Sequence, residues 1–227
     1  MPTACRLSQT LDLKPTVAED TLEKLAFLAL GWLLGLLGPI IVDAIRRRRE
    51  NALGRVAILN ELRELASVLA TAAFGARMRQ GTADRRFLEW LKSDLERHAT
   101  SQQLQAFIPS LRTQLSWSDE ELKKIAIHMS SEDGTGLVLQ HYPVPLLDAR
   151  VSAIWSFDTS FQRGLLEVRQ NLHLLDDLVD RSRKYHDQTF TLEGENRRLV
   201  EENFVQACAL YAERAQRTVD LIRRLVT

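Results

Sequence analysis

The sequence lacks the short motifs by which most enzymes can be identified. It has no glycine-rich phosphate loop, no His-Glu-x-x-His pair, no Cys-x-x-Cys pair and no Gly-x-Ser-x-Gly turn. Among its five histidines, His98, His128 and His141 lie in separate segments, with no carboxylate or cysteine at metal-ligand spacing. We therefore expect these histidines at the surface or at helix ends, and we expect no metal and no cofactor.

The sequence also has only two cysteines and a formal net charge of zero. Of the two cysteines, Cys5 lies in a polar N-terminal tail and Cys208 in an apolar helical stripe, so we expect no disulfide and a small core residue at Cys208. Thirty basic residues balance thirty acidic ones, which removes the whole-chain argument for a nucleic-acid binder. The charges are not balanced in every part of the chain, because residues 44–56 contain five Arg and one Glu.

One long apolar run is present. Residues 25–42 are 18 residues without a charge, which form a helix of about 27 Å, close to the hydrocarbon thickness of a bilayer. The run has no polar stripe, unlike a helix packed on one side of a soluble core. We predict a transmembrane helix at residues 25–45, after a tail at residues 1–24 and before a helical domain at residues 46–227.

The orientation of this helix is predicted by the arginines that follow it. Arg46, Arg47, Arg48 and Arg49 are consecutive, and an excess of Lys and Arg marks the cytoplasmic side of a membrane helix. A secretory signal has the opposite order, with its positive charge before the apolar stretch. We expect a bacterial inner-membrane protein with its N-terminus outside, and we expect the four arginines to contact lipid headgroups.

Glycines within the apolar run indicate self-association. Gly31 and Gly35 form a Gly-x-x-x-Gly pair, and Gly38 extends the same side of the helix. Small residues at this spacing let two membrane helices approach closely. We therefore expect a homo-oligomer, with the lipid bilayer as the other partner and a cytoplasmic protein as a further one.

The first part of the cytoplasmic domain has the pattern of short helices. A seam that includes Ile58 and Leu62 predicts a helix that continues from the membrane and ends near Gly81. Thr82 or Asp84 can cap a second helix, and Ser118-Asp-Glu-Glu121 is a capping box. Between them we predict a segment, residues 104–115, that Pro109 interrupts, and beyond them a short strand at residues 137–139.

The C-terminal part has the longest periodic pattern. Apolar residues recur every three or four positions from Val151 to Val179, and a break near residues 189–191 precedes a last helix with Phe204, Cys208 and Leu225 on one face. Two long helices with a short connection are expected to pack antiparallel. The predicted fold is all-α: one transmembrane helix that continues into a cytoplasmic helical bundle with two long antiparallel C-terminal helices.

The end of the first long helix carries an Arg-x4-His motif. Arg181-Ser-Arg-Lys-Tyr-His186 resembles the signature of HEPN domains, all-α bundles whose active members cut RNA without a metal. The resemblance implies His186 as general acid and base and Arg181 as stabiliser of the phosphoryl transition state. The family usually has Asn, Asp or His directly after the Arg, where this chain has Ser182.

A membrane helix joined to such a bundle also resembles single-pass CRISPR-associated membrane accessory proteins, which oligomerise and support antiviral immunity. Three hypotheses follow. The first is a non-enzymatic, self-associating membrane protein that recruits partners or perturbs the bilayer, with no catalytic residue favoured. The second is a membrane-tethered RNase that uses Arg181 and His186, with RNA as its substrate. The third is a scaffold for a cytoplasmic partner.

Overall fold

A computed structural model describes residues 16–99, 101–131 and 139–226. Every regular element within these ranges is a helix, which confirms the all-α prediction. Leu137 and Val138 of the predicted strand lie outside the described residues, and Leu139 is not in a strand. The elements are α1 (Thr16–Arg79), α2 (Arg85–His98), α3 (Gln102–Leu115), α4 (Asp119–Ser131), α5 (Pro145–Arg150), a 3₁₀ turn (Val151–Ser156), α6 (Thr159–Thr189) and α7 (Gly194–Val226).

Contacts divide the chain into two compact units, the first ending at Ala52 and the second beginning at Leu53. In the first unit α1 is long and apolar enough to cross a membrane, and none of its most apolar window is buried. The core helix of a soluble protein is mostly buried, unlike this window. A membrane anchor and an N-terminal signal sequence both meet the same criteria.

Several helix ends lie where local sequence signals predict them. Gly81 has a positive φ of 65°, which suits glycine, and it directly follows the last turn of α1. Asp84 caps α2 by accepting a 2.8 Å hydrogen bond from the Phe87 amide. Ser118 and Glu121 form the predicted capping box, since the Ser118 amide donates to the Glu121 carboxylate at 2.7 Å and the Glu121 amide donates to the Ser118 hydroxyl.

Two predicted element bounds are wrong. The periodic run from Val151 is not one helix, because its first six residues form the 3₁₀ turn and α6 begins only at Thr159. Asp158 causes the break, since its carboxylate accepts the Phe161 amide hydrogen bond at 2.9 Å as an N-cap. Pro109 does not interrupt its segment either, because α3 runs through it.

In the second unit α6 and α7 are both long and pack against each other along their length. Gly164 approaches Leu225 at one end of the pair, and the rings of His186 and Phe204 lie 6.0 Å apart at the other. The two helices are therefore antiparallel. A Cβ at Gly164 would lie 2.5 Å from a Leu225 methyl carbon, so a larger residue there would require the Leu225 side chain to shift.

A buried ion pair joins three helices of this unit. Arg223 of α7 donates to both carboxylate oxygens of Asp94 in α2, at 2.8 and 2.9 Å, and to the hydroxyl of Ser67 in α1 at 3.1 Å. Both charged side chains are buried. Because a buried charge is costly unless it is paired and hydrogen-bonded, this contact requires α1, α2 and α7 to hold one relative arrangement.

Candidate functional site

The most extensive exposed apolar surface among the described residues is the apolar part of α1 in the first unit. Trp32 and the leucines and isoleucines around it are 44–74% exposed. Gly31, Gly35 and Gly38 have no other group within 4 Å of the position of a Cβ, so a second helix could approach all three. Large exposed apolar patches on a protein mark a binding site or a membrane contact.

The four consecutive arginines directly follow this surface on the same helix. Arg46, Arg47, Arg48 and Arg49 are all exposed, and Nε of Arg46 donates a 2.9 Å hydrogen bond to Glu50 one turn later. Exposed guanidinium groups can bind anionic phosphate oxygens with paired hydrogen bonds. The arrangement is an apolar helix with a basic collar at its C-terminal side.

Arg181 and His186 lie on one continuous helix, on different sides of it. Five residues correspond to about 500° of helical rotation, or about 140° after one full turn. Arg181 is exposed in a shallow groove of about 280 Å³ between α6 and α7, which Glu213, Arg214 and Arg217 also line. His186 instead packs edge-on against Phe190, with ring centroids 5.0 Å apart. A single copy of the chain does not bring the two side chains together for catalysis.

His141 has carboxylate partners that the sequence analysis missed. Its Nδ1 lies 2.8 Å from Asp176 and its Nε2 lies 3.0 Å from Asp180, so two turns of α6 hold the imidazole from both sides. The partners are 35 and 39 residues away, which is why spacing along the chain gave no signal. Within the described residues no group of three or more His, Cys, Asp or Glu is placed to hold a metal.

The start of the second unit is held by contacts between α1 and the residues around the 3₁₀ turn. Arg55 donates a 2.8 Å hydrogen bond to Asp158 and lies 4.3 Å from the centre of the Phe161 ring. Hydrogen bonds from the Ser160 hydroxyl and the Phe161 amide, with Arg55 alongside, lower the pKa of Asp158 to about 2. The carboxylate is therefore charged at any physiological pH.

Cys208 behaves as the sequence predicts. It is buried in α7, and burial raises the pKa of its thiol to about 11. A thiol with so high a pKa carries almost no thiolate at neutral pH, so it is unsuited to nucleophilic or metal-binding chemistry.

Comparison of the chain with protein-family models, with curated proteins and with solved structures finds no match in any of the three.

Proposed function

We propose that this chain is a membrane-anchored, self-associating helical protein that acts by recruiting partners or perturbing the bilayer, without catalysis of its own. The observation that carries the proposal is the exposure of the apolar part of α1 in the first unit, all round the helix. Burying apolar surface contributes roughly 25 cal/mol per Å². A bilayer and a second copy of the helix together would cover this surface.

The basic collar sets the proposed orientation. Arg46, Arg47, Arg48 and Arg49 would lie among headgroups on the cytoplasmic side of a bacterial inner membrane, with the N-terminus outside and the bundle inside. Anionic lipids would add about 1 kcal/mol for each arginine near the surface.

The glycine side of α1 is the proposed self-association surface. Gly31, Gly35 and Gly38 leave it flat, which allows close contact between two helices. The bundle that follows would then be presented in several copies to a cytoplasmic partner. The architectural resemblance to CRISPR-associated membrane proteins suggests antiviral defence as the setting.

The experiment combines extraction with reporter fusions. We expect the chain to stay in the membrane pellet in alkaline carbonate, alkaline phosphatase fused after Thr227 to be inactive, and a fluorescent protein fused there to fluoresce. Replacing Leu33 and Leu34 together with Arg should release the protein, because each charge at the centre of a membrane helix costs about 2.5–3.5 kcal/mol.

The matched control is Val68→Arg, an exposed position of the same helix in the second unit, which should stay in the pellet. Two outcomes contradict the proposal. An active phosphatase would reverse the orientation, and a shortened chain that has lost its apolar segment would identify a signal sequence.

A further inference from the structure

A short segment of the second unit is attached to both α1 and α6. We call residues 139–147 the strap; it consists of an extended stretch and the first turn of α5. The Glu61 carboxylate of α1 accepts hydrogen bonds from the amides of Leu146 and Leu147, both at 2.9 Å. Nearer its start, His141 contacts α6 through the two carboxylates described above. Side chains of two helices therefore hold the strap.

The strap buries one of its sides. Leu139, Val144 and Leu147 are buried, whereas Gln140 and Pro143 are exposed. Within the described residues, no hydrogen bond between backbone groups joins the strap to α1, α6 or α7. Its position therefore depends on side chains, and a segment held in this way opens at a lower free energy than the helices of a core.

The contact between the strap and α6 is open to solvent. The side chain of His141 is 37% exposed, and those of Asp176 and Asp180 are 42% and 69% exposed. Water screens charged groups as exposed as these, so their contacts contribute little to stability. This contact can therefore be released without unfolding α6.

A buried hydroxyl lies close to the strap. Tyr211 of α7 is 1% exposed, and its Oη has no hydrogen-bond partner within the described residues. Burial, with Tyr142 of the strap and Asp176 of α6 nearby, raises the pKa of this hydroxyl. A buried hydroxyl without a partner destabilises the state that contains it.

Asp176 is near both His141 and this hydroxyl. Its carboxylate lies 2.8 Å from Nδ1 of His141 and makes no hydrogen bond with Tyr211. Release of His141 would free the carboxylate to turn towards the hydroxyl, and would also let water reach it. The closed strap and the pairing of Tyr211 therefore exclude each other.

We propose that the strap is a two-state device, which opens while the helices of the bundle stay folded and which the Tyr211 hydroxyl favours in its open state. On opening, His141 leaves α6, and Tyr211 donates its hydrogen bond to Asp176 or to water. Burial of the apolar side of the strap keeps the closed state the more populated one. The inference goes beyond the proposed function and does not depend on the membrane anchor, since all of these groups belong to the second unit.

The test measures how often the strap opens in the full chain in mild detergent, from the rate at which a water-soluble maleimide labels a buried cysteine. With Cys5→Ser as background, Val144→Cys reports on the strap and Val168→Cys, at a buried position of α6, reports on unfolding of the bundle. Peptide mass spectrometry separates both from Cys208. We expect labelling at position 144 to be faster on the order of tenfold or more. Equal rates at the two positions would overturn the inference.

Tyr211→Phe then tests the hydroxyl. It removes a group that is unpaired only in the closed state, so labelling at positions 144 and 168 should slow by the same factor, on the order of tenfold. Tyr185→Phe is the matched control, because Tyr185 is only partly buried, and it should change neither rate. Slowing at position 168 alone would mean that the hydroxyl stays unpaired when the strap opens. No slowing at either position would mean that it is already paired in the closed state, and either result overturns the inference.

His141→Ala tests the contact with α6. Labelling at position 144 should become several-fold faster, whereas His173→Ala, at an exposed position of α6, should leave the rate unchanged. An unchanged rate in His141→Ala would contradict the proposal.

A further measurement needs no added cysteine, in case those variants do not fold. Tyr211→Phe alone should raise the midpoint of thermal unfolding of the bundle, which is the reverse of the loss expected when a hydrogen-bonded hydroxyl is removed. A lowered midpoint would overturn the inference.

Discussion

Along α1, residues 22–50 expose almost every side chain, whereas residues from Leu53 to Arg79 bury a regular seam that includes Ile58, Leu62 and Leu69. The backbone is one uninterrupted helix through both parts. The difference comes from the side-chain pattern. A helix with apolar residues all round has no single face to bury in a soluble core, while an apolar stripe gives it one such face. Helix continuity alone therefore says nothing about which part belongs to the protein core.

The largest expected effect tests the difference between the buried and the exposed part of α1. It compares two leucine-to-alanine substitutions on this helix. Leu62 is 0% exposed and Leu34 is 63% exposed. Leu62→Ala should lower the free energy of unfolding of the bundle by about 2–5 kcal/mol, because it leaves a cavity in the core. Leu34→Ala should change it by no more than about 0.5 kcal/mol.

Guanidinium unfolding of the full chain in mild detergent, followed by tryptophan fluorescence, measures both variants under the same conditions. Destabilisation of the bundle by Leu34→Ala as large as that by Leu62→Ala would remove the distinction between the two parts of α1.

Local features of the fold were predictable from the sequence, because each depends on residues close together in the chain. The Asp84 cap, the capping box at Ser118 and the end of α1 at Gly81 each involve a few consecutive residues. Periodicity was less reliable. The spacing from Val151 onward fits one α-helix, yet residues 151–156 form a 3₁₀ turn and α6 begins only after its N-cap, Asp158.

Long-range contacts could not be predicted in this way. Arg223 pairs with Asp94 across 129 residues, and His141 meets Asp176 across 35. Their identity depends on which helix faces are adjacent, which the order of residues along the chain does not specify. The candidate surface on α1 was predictable because it needs no such contact: its composition, its length and its glycine spacing all lie within one segment.

A smaller effect is expected on self-association, from substitutions on two sides of the exposed part of α1. Replacing Gly31 and Gly35 with Ile should weaken self-association on the order of tenfold, about 1.4 kcal/mol, since the added side chains hold two helices apart. The matched control is Ala26→Ile with Ala29→Ile, which adds bulk about 140–200° round the helix from Gly31. Chemical cross-linking in detergent over a range of protein concentrations measures both. An oligomer that is equally stable in the two double variants would place the interface outside the glycine side.

The smallest expected effect compares two arginines of α1 that have carboxylate partners. Arg46 pairs with Glu50 on its own helix, whereas Arg55 pairs with Asp158, which lies 103 residues away. The pKa of Asp158 is about 2 in the folded chain, below its ordinary value of 3.8. A carboxyl with a lowered folded pKa stabilises the fold above its unfolded pKa, and that stabilisation is lost as pH falls through the folded pKa. For Asp158 the window is therefore from about pH 4 to about pH 2.

Asp158→Asn keeps a side-chain carbonyl that can cap α6 but cannot lose a charge. We expect its midpoint of thermal unfolding to fall less than that of the wild type between pH 4 and pH 2, and to lie below the wild type at pH 7. Glu50→Gln is the control, because it removes a partner that Arg46 has on its own exposed helix. Its unfolding midpoint should follow the wild type across the same range. Parallel curves for Asp158→Asn and the wild type would mean that the Arg55 contact adds no pH-dependent stability to the start of the bundle.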